Sequence, residues 1–210
     1  ALAQAGQAKQ AFAAADQISD ANERSRAYCA IALALARARK AKQAQEAFQQ
    51  ASVAAEQIAD ADKRSEAYAA VAVALAQARK ADEAQKALAQ ALEVARDVGN
   101  PGSRYSALWR VGLAAAEVGA GELAQQLVLY ELPVGRGENL PPIMDALAQQ
   151  GEKATFLALL PLCGWSLGMA IKASLSVATL YPQHNLAVLE VLARELGVGR
   201  DGESDTEKIS

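Results

Sequence analysis

The chain has 210 residues and a formal net charge of -3, and its length is enough for one large domain or two small ones. Alanine accounts for 51 residues, of which 36 lie in the first 100, whereas aromatic residues make up only 5%. Alanine loses no side-chain entropy in a helix, and the β-branched and aromatic runs typical of strands are rare here. The composition therefore predicts helices and argues against a parallel-sheet enzyme fold for residues 1–100.

Charge and cysteine content exclude further classes of protein. Residues 1–100 carry 13 basic and 12 acidic side chains, and the remainder carries 8 and 12. Neither half has the basic excess that binding to nucleic acid phosphates requires. The two cysteines, Cys29 and Cys163, lie far apart in sequence, which favours buried thiols in a reducing compartment. We therefore expect a cytoplasmic protein without a nucleic acid partner.

The strongest signal is an internal repeat of 40 residues. Residues 21–60 align with residues 61–100 without a gap, so that Tyr28 matches Tyr68 and Arg24 matches Arg64. One helical hairpin cannot bury its own apolar face, so a repeat of this length on helical sequence predicts stacked hairpins. Weaker copies flank the two full ones, and we place the units near residues 1–20, 21–60, 61–100 and 101–131.

Each full unit contains two amphipathic segments joined by a short turn. Apolar residues recur at helical spacing on both segments of the first full unit: Tyr28, Ile31, Ala32 and Leu35, then Ala44, Ala47, Phe48 and Ala51. Asp20, Asp60 and Asn100 recur at the unit junctions, where their side chains are expected to cap helix starts. Gly119 stands in the third unit at the turn between segments, and glycine favours such a turn.

These residues resemble a known family. The first full unit, Tyr28-x2-Ile31-Ala32-x2-Leu35-x8-Ala44-x3-Phe48-x2-Ala51, resembles the tetratricopeptide pattern W-x2-L-G-x2-Y-x8-A-x3-F-x2-A. It departs in its period of 40, in the leading Tyr, and in having no closing Pro. It is also similar to the Ala-rich repeats at the C-terminal end of large bacterial signalling proteins, including STAND-type ATPases. The chain begins in helical register at Ala1 without Met, and we expect it to be a segment of such a protein.

The resemblance implies a fold and a general function. The fold is all-α: a right-handed α-solenoid of stacked antiparallel helix hairpins over residues 1–131. The function is non-catalytic binding of a protein or peptide by a sensor or adaptor region. A structural module that mediates self-association is the first alternative.

The remainder of the chain departs from the repeat. Residues 132–196 are expected to form an apolar helical cap, with a helix starting near Pro142 and running to Gln150 and a last helix opening at Pro182. Residues 155–171 carry no charge, but Pro161 and the nearby glycines interrupt them, so we expect buried helices and no membrane span. Residues 197–210 are polar and are expected to form a disordered tail.

We expect no catalytic residue, no metal and no cofactor. His184 is the only histidine, which removes metal sites built on two histidines. The sequence also has no phosphate-binding loop of the form G-x-x-x-x-G-K-[ST]. A small hydrolase-type enzyme using His184 as its base is the second alternative.

The resemblance also implies a ligand-binding groove on the first helix of each unit. Tetratricopeptide groove positions carried over by the alignment differ between units: Arg26, Cys29, Leu33 and Arg37; Glu66, Ala69, Val73 and Gln77; Ser106, Trp109, Leu113 and Glu117. We expect Leu33, Val73 and Leu113 to form an apolar floor, and Trp109 to be a partly exposed binding hot spot. Packing of these side chains between units is the alternative interpretation.

Overall fold

The structure is a computed structural model that describes residues 7–131, 140–160, 162 and 176–184, with only the backbone of residues 130, 131 and 184. These residues are largely helical, and none of those described lies in a strand. The chain divides into two compact units, one of residues 1–134 and one of residues 135–210. The predicted all-helical fold is therefore confirmed.

Residues 7–131 of the first compact unit form seven α-helices, which follow one another through short turns. They are α1 (Ala8–Asp16), α2 (Ala21–Arg37), α3 (Ala41–Glu56), α4 (Ala61–Gln77), α5 (Ala81–Arg96), α6 (Pro101–Val118) and α7 (Gly121–Gln126). A π-helical turn, Leu127–Glu131, continues α7. Helix α2 packs on α3 and α4 packs on α5, while α2 also contacts α4, and α4 contacts α6. Neighbouring helices thus pack both within and between the 40-residue units.

In the second compact unit, the described residues include α8 (Leu140–Gln150), α9 (Lys153–Leu159) and a short turn of 3-10 helix, Pro182–His184. Residues 176–180 are also helical. Helix α8 begins two residues before Pro142 and ends at Gln150, close to the predicted bounds. Gly151 separates the helices with a φ of 75°, a backbone conformation that favours glycine. Most of the uncharged run over residues 155–171, most of the helix predicted after Pro182 and the whole predicted tail lie outside the described residues.

Side chains cap the first helix of each unit as predicted. Asp20, Asp60 and Asn100 each accept a hydrogen bond from the backbone N–H three residues later, at 2.8, 2.9 and 3.0 Å. Arg24 and Arg64 sit just beyond two of these caps and donate to the carbonyl oxygens of Ile18 and Ile58, at 2.7 and 2.9 Å. Since these carbonyls follow the preceding second helix, each arginine ties one unit to the next.

The turn inside each hairpin has the same backbone in all three units. Arg39, Arg79 and Gly119 adopt φ values of 57°, 61° and 81°, in the left-handed region. After the first of these turns, the N–H of Lys40 returns to the carbonyl of Leu35 at 2.9 Å, which closes the helix end as in a Schellman motif. Two of the three turns therefore place arginine where glycine is preferred.

The core of the hairpins combines apolar side chains with one recurring polar contact. Phe48 and Leu88 hold the same repeat position and are almost completely buried. Ser25 and Ser65 are also buried, and their hydroxyls donate to the carbonyl oxygens of Ala51 and Ala91 at 2.9 Å. These bonds link the two helices of each hairpin and satisfy hydroxyls that would otherwise be costly to bury.

Candidate functional site

The predicted groove positions divide by burial. Arg26, Arg37, Gln77, Ser106 and Glu117 are exposed; Leu33, Glu66, Val73 and Leu113 are half-buried; Cys29, Ala69 and Trp109 are buried. Residues at equivalent repeat positions share similar burial, because α2, α4 and α6 present the same helix face in the same way. Six of the exposed or half-buried residues define a surface that we call the variable face: Leu33, Arg37, Val73, Gln77, Leu113 and Glu117.

Trp109 is a core residue, and the expectation that it is partly exposed is wrong. Its side chain is 7% exposed, and the equivalent Cys29 and Ala69 are 8% and 6% exposed. The ring of Tyr105 packs edge-on against Trp109, with 6.1 Å between centroids. The indole N–H of Trp109 has no hydrogen-bond partner in the described part of the chain. This repeat position is part of the packing surface, so the largest side chain placed there fills internal space.

Cys29 is equally unsuited to contact a ligand or to react. Burial raises the pKa of its thiol to about 12. The thiolate is the reactive form of cysteine, so a protonated thiol in an apolar setting is inert near neutral pH. The predicted buried thiol is confirmed for Cys29, whereas Cys163 lies outside the described residues.

Ion pairs engage Arg26, one of the predicted groove residues. The guanidinium of Arg26 lies 2.6 Å from the carboxylate of Glu66, at the equivalent position of the next unit, and 3.3 Å from that of Glu23. A second pair, Asp62 with Arg110, joins α4 to α6. Pairs this exposed stabilise a fold by about 0–1 kcal/mol, and here they join the first helices of neighbouring units. Arg26 and Glu66 are therefore structural contacts between units.

The variable face keeps its apolar and charged character. Leu33, Val73 and Leu113 are half-buried and follow one another on α2, α4 and α6. Arg37 and Glu117 are exposed one helical turn further along α2 and α6. Desolvation raises the pKa of the Glu117 carboxyl. An apolar strip bordered by opposite charges at its two ends can contact both side chains and termini of a peptide.

A cluster of titratable groups at the α4–α5 turn has a structural role. The Lys80 ammonium contacts the carboxylate of Glu83 at 2.8 Å and donates to the side chain of Gln45, which itself donates to Glu83 at 3.0 Å. The hydrogen bond from Lys80 is the largest cause that lowers the pKa of Glu83. Because each partner is engaged by the other two, the cluster tethers α3 to the start of α5.

Sequence reasoning missed a cleft between α1 and α3. It has a volume of about 460 Å³ and is lined by Ala8, Lys9, Phe12, Ala13, Asp16, Tyr28, Gln43, Glu46 and Gln50. The alignment of the repeats contains one indication of this cleft. Ala8 stands at the position held by Phe48 and Leu88 in the next two units, so less side-chain volume is present there.

Tyr28 forms the floor of this cleft. Its hydroxyl donates a hydrogen bond to the carboxylate of Asp16, and its ring lies 5.8 Å from that of Phe12, tilted by 55°. Burial, together with the Asp16 carboxylate, raises the pKa of Tyr28 to about 12. Tyr68 has a similar setting beside Glu56, and burial likewise raises its pKa.

His184 would be the catalytic base in the enzyme alternative. The backbone of His184 lies in the 3-10 turn Pro182–His184, and its side chain is outside the described part of the chain. Among the described residues, no group of three His, Cys, Asp or Glu side chains could hold a metal ion. None of the described helices has both the length and the apolar character needed to cross a bilayer.

Comparison with known proteins supports the fold alone. The chain matches no family model, and no curated protein matches it. It is similar to the crystal structure of Ton1535 from Thermococcus onnurineus NA1, with 18% sequence identity and a TM-score of 0.57. The match covers 91% of this chain and 61% of that protein, so the chain spans less than two thirds of its length.

Proposed function

We propose that residues 1–131 form a right-handed, tetratricopeptide-like α-solenoid that binds a protein or peptide on the variable face. In this proposal the domain is non-catalytic and serves as the sensor or adaptor region of a larger bacterial signalling protein. The serial packing of α2 on α4 and of α4 on α6 supports a stacked arrangement.

The observation that carries the proposal is a contrast between repeated and varied positions. Several buried positions repeat their residue type, as in Ser25 with Ser65 and Leu35 with Leu75, although the buried position of Cys29, Ala69 and Trp109 does not. The exposed position near the end of each first helix instead changes from Arg37 to Gln77 and then to Glu117. Packing alone does not require this change at solvent-exposed sites. A partner whose own side chains differ along its length would be matched by it.

The variable face favours a peptide with an apolar centre and opposite charges at its two ends. Leu33, Val73 and Leu113 offer half-buried apolar surface for two or three aliphatic or aromatic side chains. Arg37 on α2 would meet an acidic group, and Glu117 on α6 would meet a basic one. The apolar contacts would supply most of the affinity, and the charges would fix the direction of the peptide.

The test selects peptides from a random library on the purified chain and measures their affinity by calorimetry. Arg37→Glu should weaken the selected peptides about tenfold, because it replaces an attraction by a repulsion. Lys42→Glu is the matched control: it makes the same charge change at an exposed position on α3, a helix that contributes no residue to the variable face. Equal affinities for both variants would contradict the proposed face.

A second measurement distinguishes peptide binding from self-association. Light scattering across a concentration series should give the mass of one chain, with and without a selected peptide. A dimer that forms with rising concentration and dissociates in Arg37→Glu would show instead that the face binds a second copy. Unchanged dimerisation in that variant would place self-association on another surface.

A further inference from the structure

The cleft between α1 and α3 has the shape of a ligand site, and its two walls are formed by side chains spaced one helical turn apart. Phe12 and Asp16 lie four residues apart on α1, and Glu46 and Gln50 lie four apart on α3, so each pair points to the same side of its helix. Tyr28 of α2 closes the bottom. The volume of about 460 Å³ lies within the range of about 300–1,000 Å³ that is usual for small-molecule sites.

The charges of the cleft favour a cation. The lining residues include two carboxylates, Asp16 and Glu46, and one ammonium, Lys9. Glu46 makes no hydrogen bond or ion pair within the described part of the chain, and Asp16 accepts only the hydroxyl of Tyr28. Lys9 lies seven residues before Asp16, about 10 Å away along the axis of α1. The end of the cleft near Asp16 is therefore negative.

Aromatic rings in the cleft favour an organic cation over an inorganic one. Phe12 is half-buried and borders the cleft together with the ring of Tyr28. The face of an aromatic ring attracts an organic cation, and a weakly hydrated ammonium loses little on leaving water. An inorganic cation would need several oxygen ligands at fixed positions, whereas the lining offers two carboxylates on separate helices.

We propose that this cleft binds a small organic ammonium ion. The cationic head lies between the carboxylates of Asp16 and Glu46 and contacts the ring of Phe12. The remainder of the ligand extends along the cleft, with the amides of Gln43 and Gln50 available for hydrogen bonds. This site is separate from the variable face, and the proposal does not rest on the proposed peptide binding.

The test compares two probes of the same shape. Choline carries a quaternary ammonium, and 3,3-dimethylbutan-1-ol replaces the charged nitrogen with carbon. Each is titrated into the whole chain while the aromatic proton signals of Phe12 and Tyr28 are followed by NMR. Choline should shift these signals with a Kd of about 1 mM, and the neutral alcohol should bind at least about fivefold more weakly. Equal binding of the two probes, or no shift, overturns the proposal.

Two variants locate the site. Glu46→Gln should weaken choline about three- to fivefold, as expected for loss of one partly screened charge. Glu93→Gln is the control, because it removes the same charge from an exposed position on α5 outside the cleft. Phe12→Leu keeps an apolar side chain but removes the ring, and should weaken choline without altering binding of the neutral alcohol. Equal choline affinity in the Glu46 and Glu93 variants overturns the proposal.

Discussion

At the residue scale, two arginines occupy a backbone conformation that most side chains avoid. Arg39 and Arg79 close their helices with positive φ, where the third unit has Gly119. The left-handed conformation costs a residue with a Cβ about 1–2 kcal/mol. The chain tolerates this because the following N–H groups satisfy the carbonyls at the helix end.

Arg79→Gly is therefore expected to stabilise the protein. Glycine removes the backbone strain but raises the entropy of the unfolded chain, so we expect a net gain of about 0.5–1 kcal/mol in the free energy of unfolding. Urea unfolding followed by circular dichroism measures it. The control is Ala78→Gly, one residue earlier at a φ of -82°, which should destabilise by about 0.5–1 kcal/mol. A loss of stability in both variants would refute the strain argument.

Tyr28 makes stability depend on alkaline pH. Folding raises its pKa from 10.0 to about 12, so the unfolded chain releases the proton first as pH rises. The neutral tyrosine stabilises the fold fully below pH 10, and this contribution is lost as pH approaches 12. Phenolate absorbance should show one tyrosine titrating near 12 that is absent in Tyr28→Phe. The variant should also show a shallower fall in stability between pH 10 and 12; an unchanged fall would contradict the assignment.

At the scale of elements, the ion pairs between the first helices of neighbouring units recur incompletely. Asp62 of α4 contacts Arg110 of α6, and the equivalent positions on α2 and α4 are Asn22 and Ala70. Alanine cannot complete the pair, and the side-chain oxygen of Asn22 has no hydrogen-bond partner among the described residues. The α2–α4 contact therefore lacks one link that the α4–α6 contact has.

Restoring that link gives a double-mutant cycle. Asn22→Asp and Ala70→Arg together should exceed the sum of the single changes by about 0.5–1 kcal/mol in the free energy of unfolding. The coupling should decrease when salt is added, because the pair is partly exposed. Zero coupling at low salt would mean that the two pairs of first helices are not equivalently spaced.

The elements themselves were largely predictable, because local chemistry determines them. Helix starts are indicated by the capping side chains of Asp20, Asp60 and Asn100. Gly119 indicates a turn whose backbone conformation Arg39 and Arg79 also adopt. The exposure of a single side chain on a helix was harder to predict than the helix itself. Trp109 matches a groove position by alignment, yet its burial depends on the neighbouring side chains, which an alignment with another family does not include.

At the scale of the whole molecule, stability should be distributed along the repeats. Phe48 is 2% exposed in the core of the α2–α3 hairpin, and Phe48→Ala should destabilise by about 3–5 kcal/mol. Each unit in a repeat array contacts mainly its neighbours, so amide exchange should accelerate more in α2 and α3 than in α6. Val53→Ala, at a side chain 47% exposed, should change stability by less than about 0.5 kcal/mol. Uniform acceleration of exchange would argue for a single cooperative core.

Repetition also explains what could not be predicted at this scale. Because the 40-residue period has no gap, it specifies which helices are equivalent, and the contacts of α2, α4 and α6 agree with that equivalence. The cleft instead arises where the units differ, at Ala8, and where α1 and α3 approach each other with charged side chains. A site of this kind depends on the distance between α1 and α3, which the period alone does not give.

The identical hairpin turns have a consequence for the length of the chain. Lys40 and Lys80 each follow the same left-handed residue, so deleting residues 41–80 would join α2 to α5 through an unaltered connection. The hydroxyl of Ser25 would then donate to the carbonyl of Ala91, as the hydroxyl of Ser65 does in the intact chain. Gene segments of forty codons could thus be gained or lost without inventing a new junction, which lets evolution adjust the number of units one at a time.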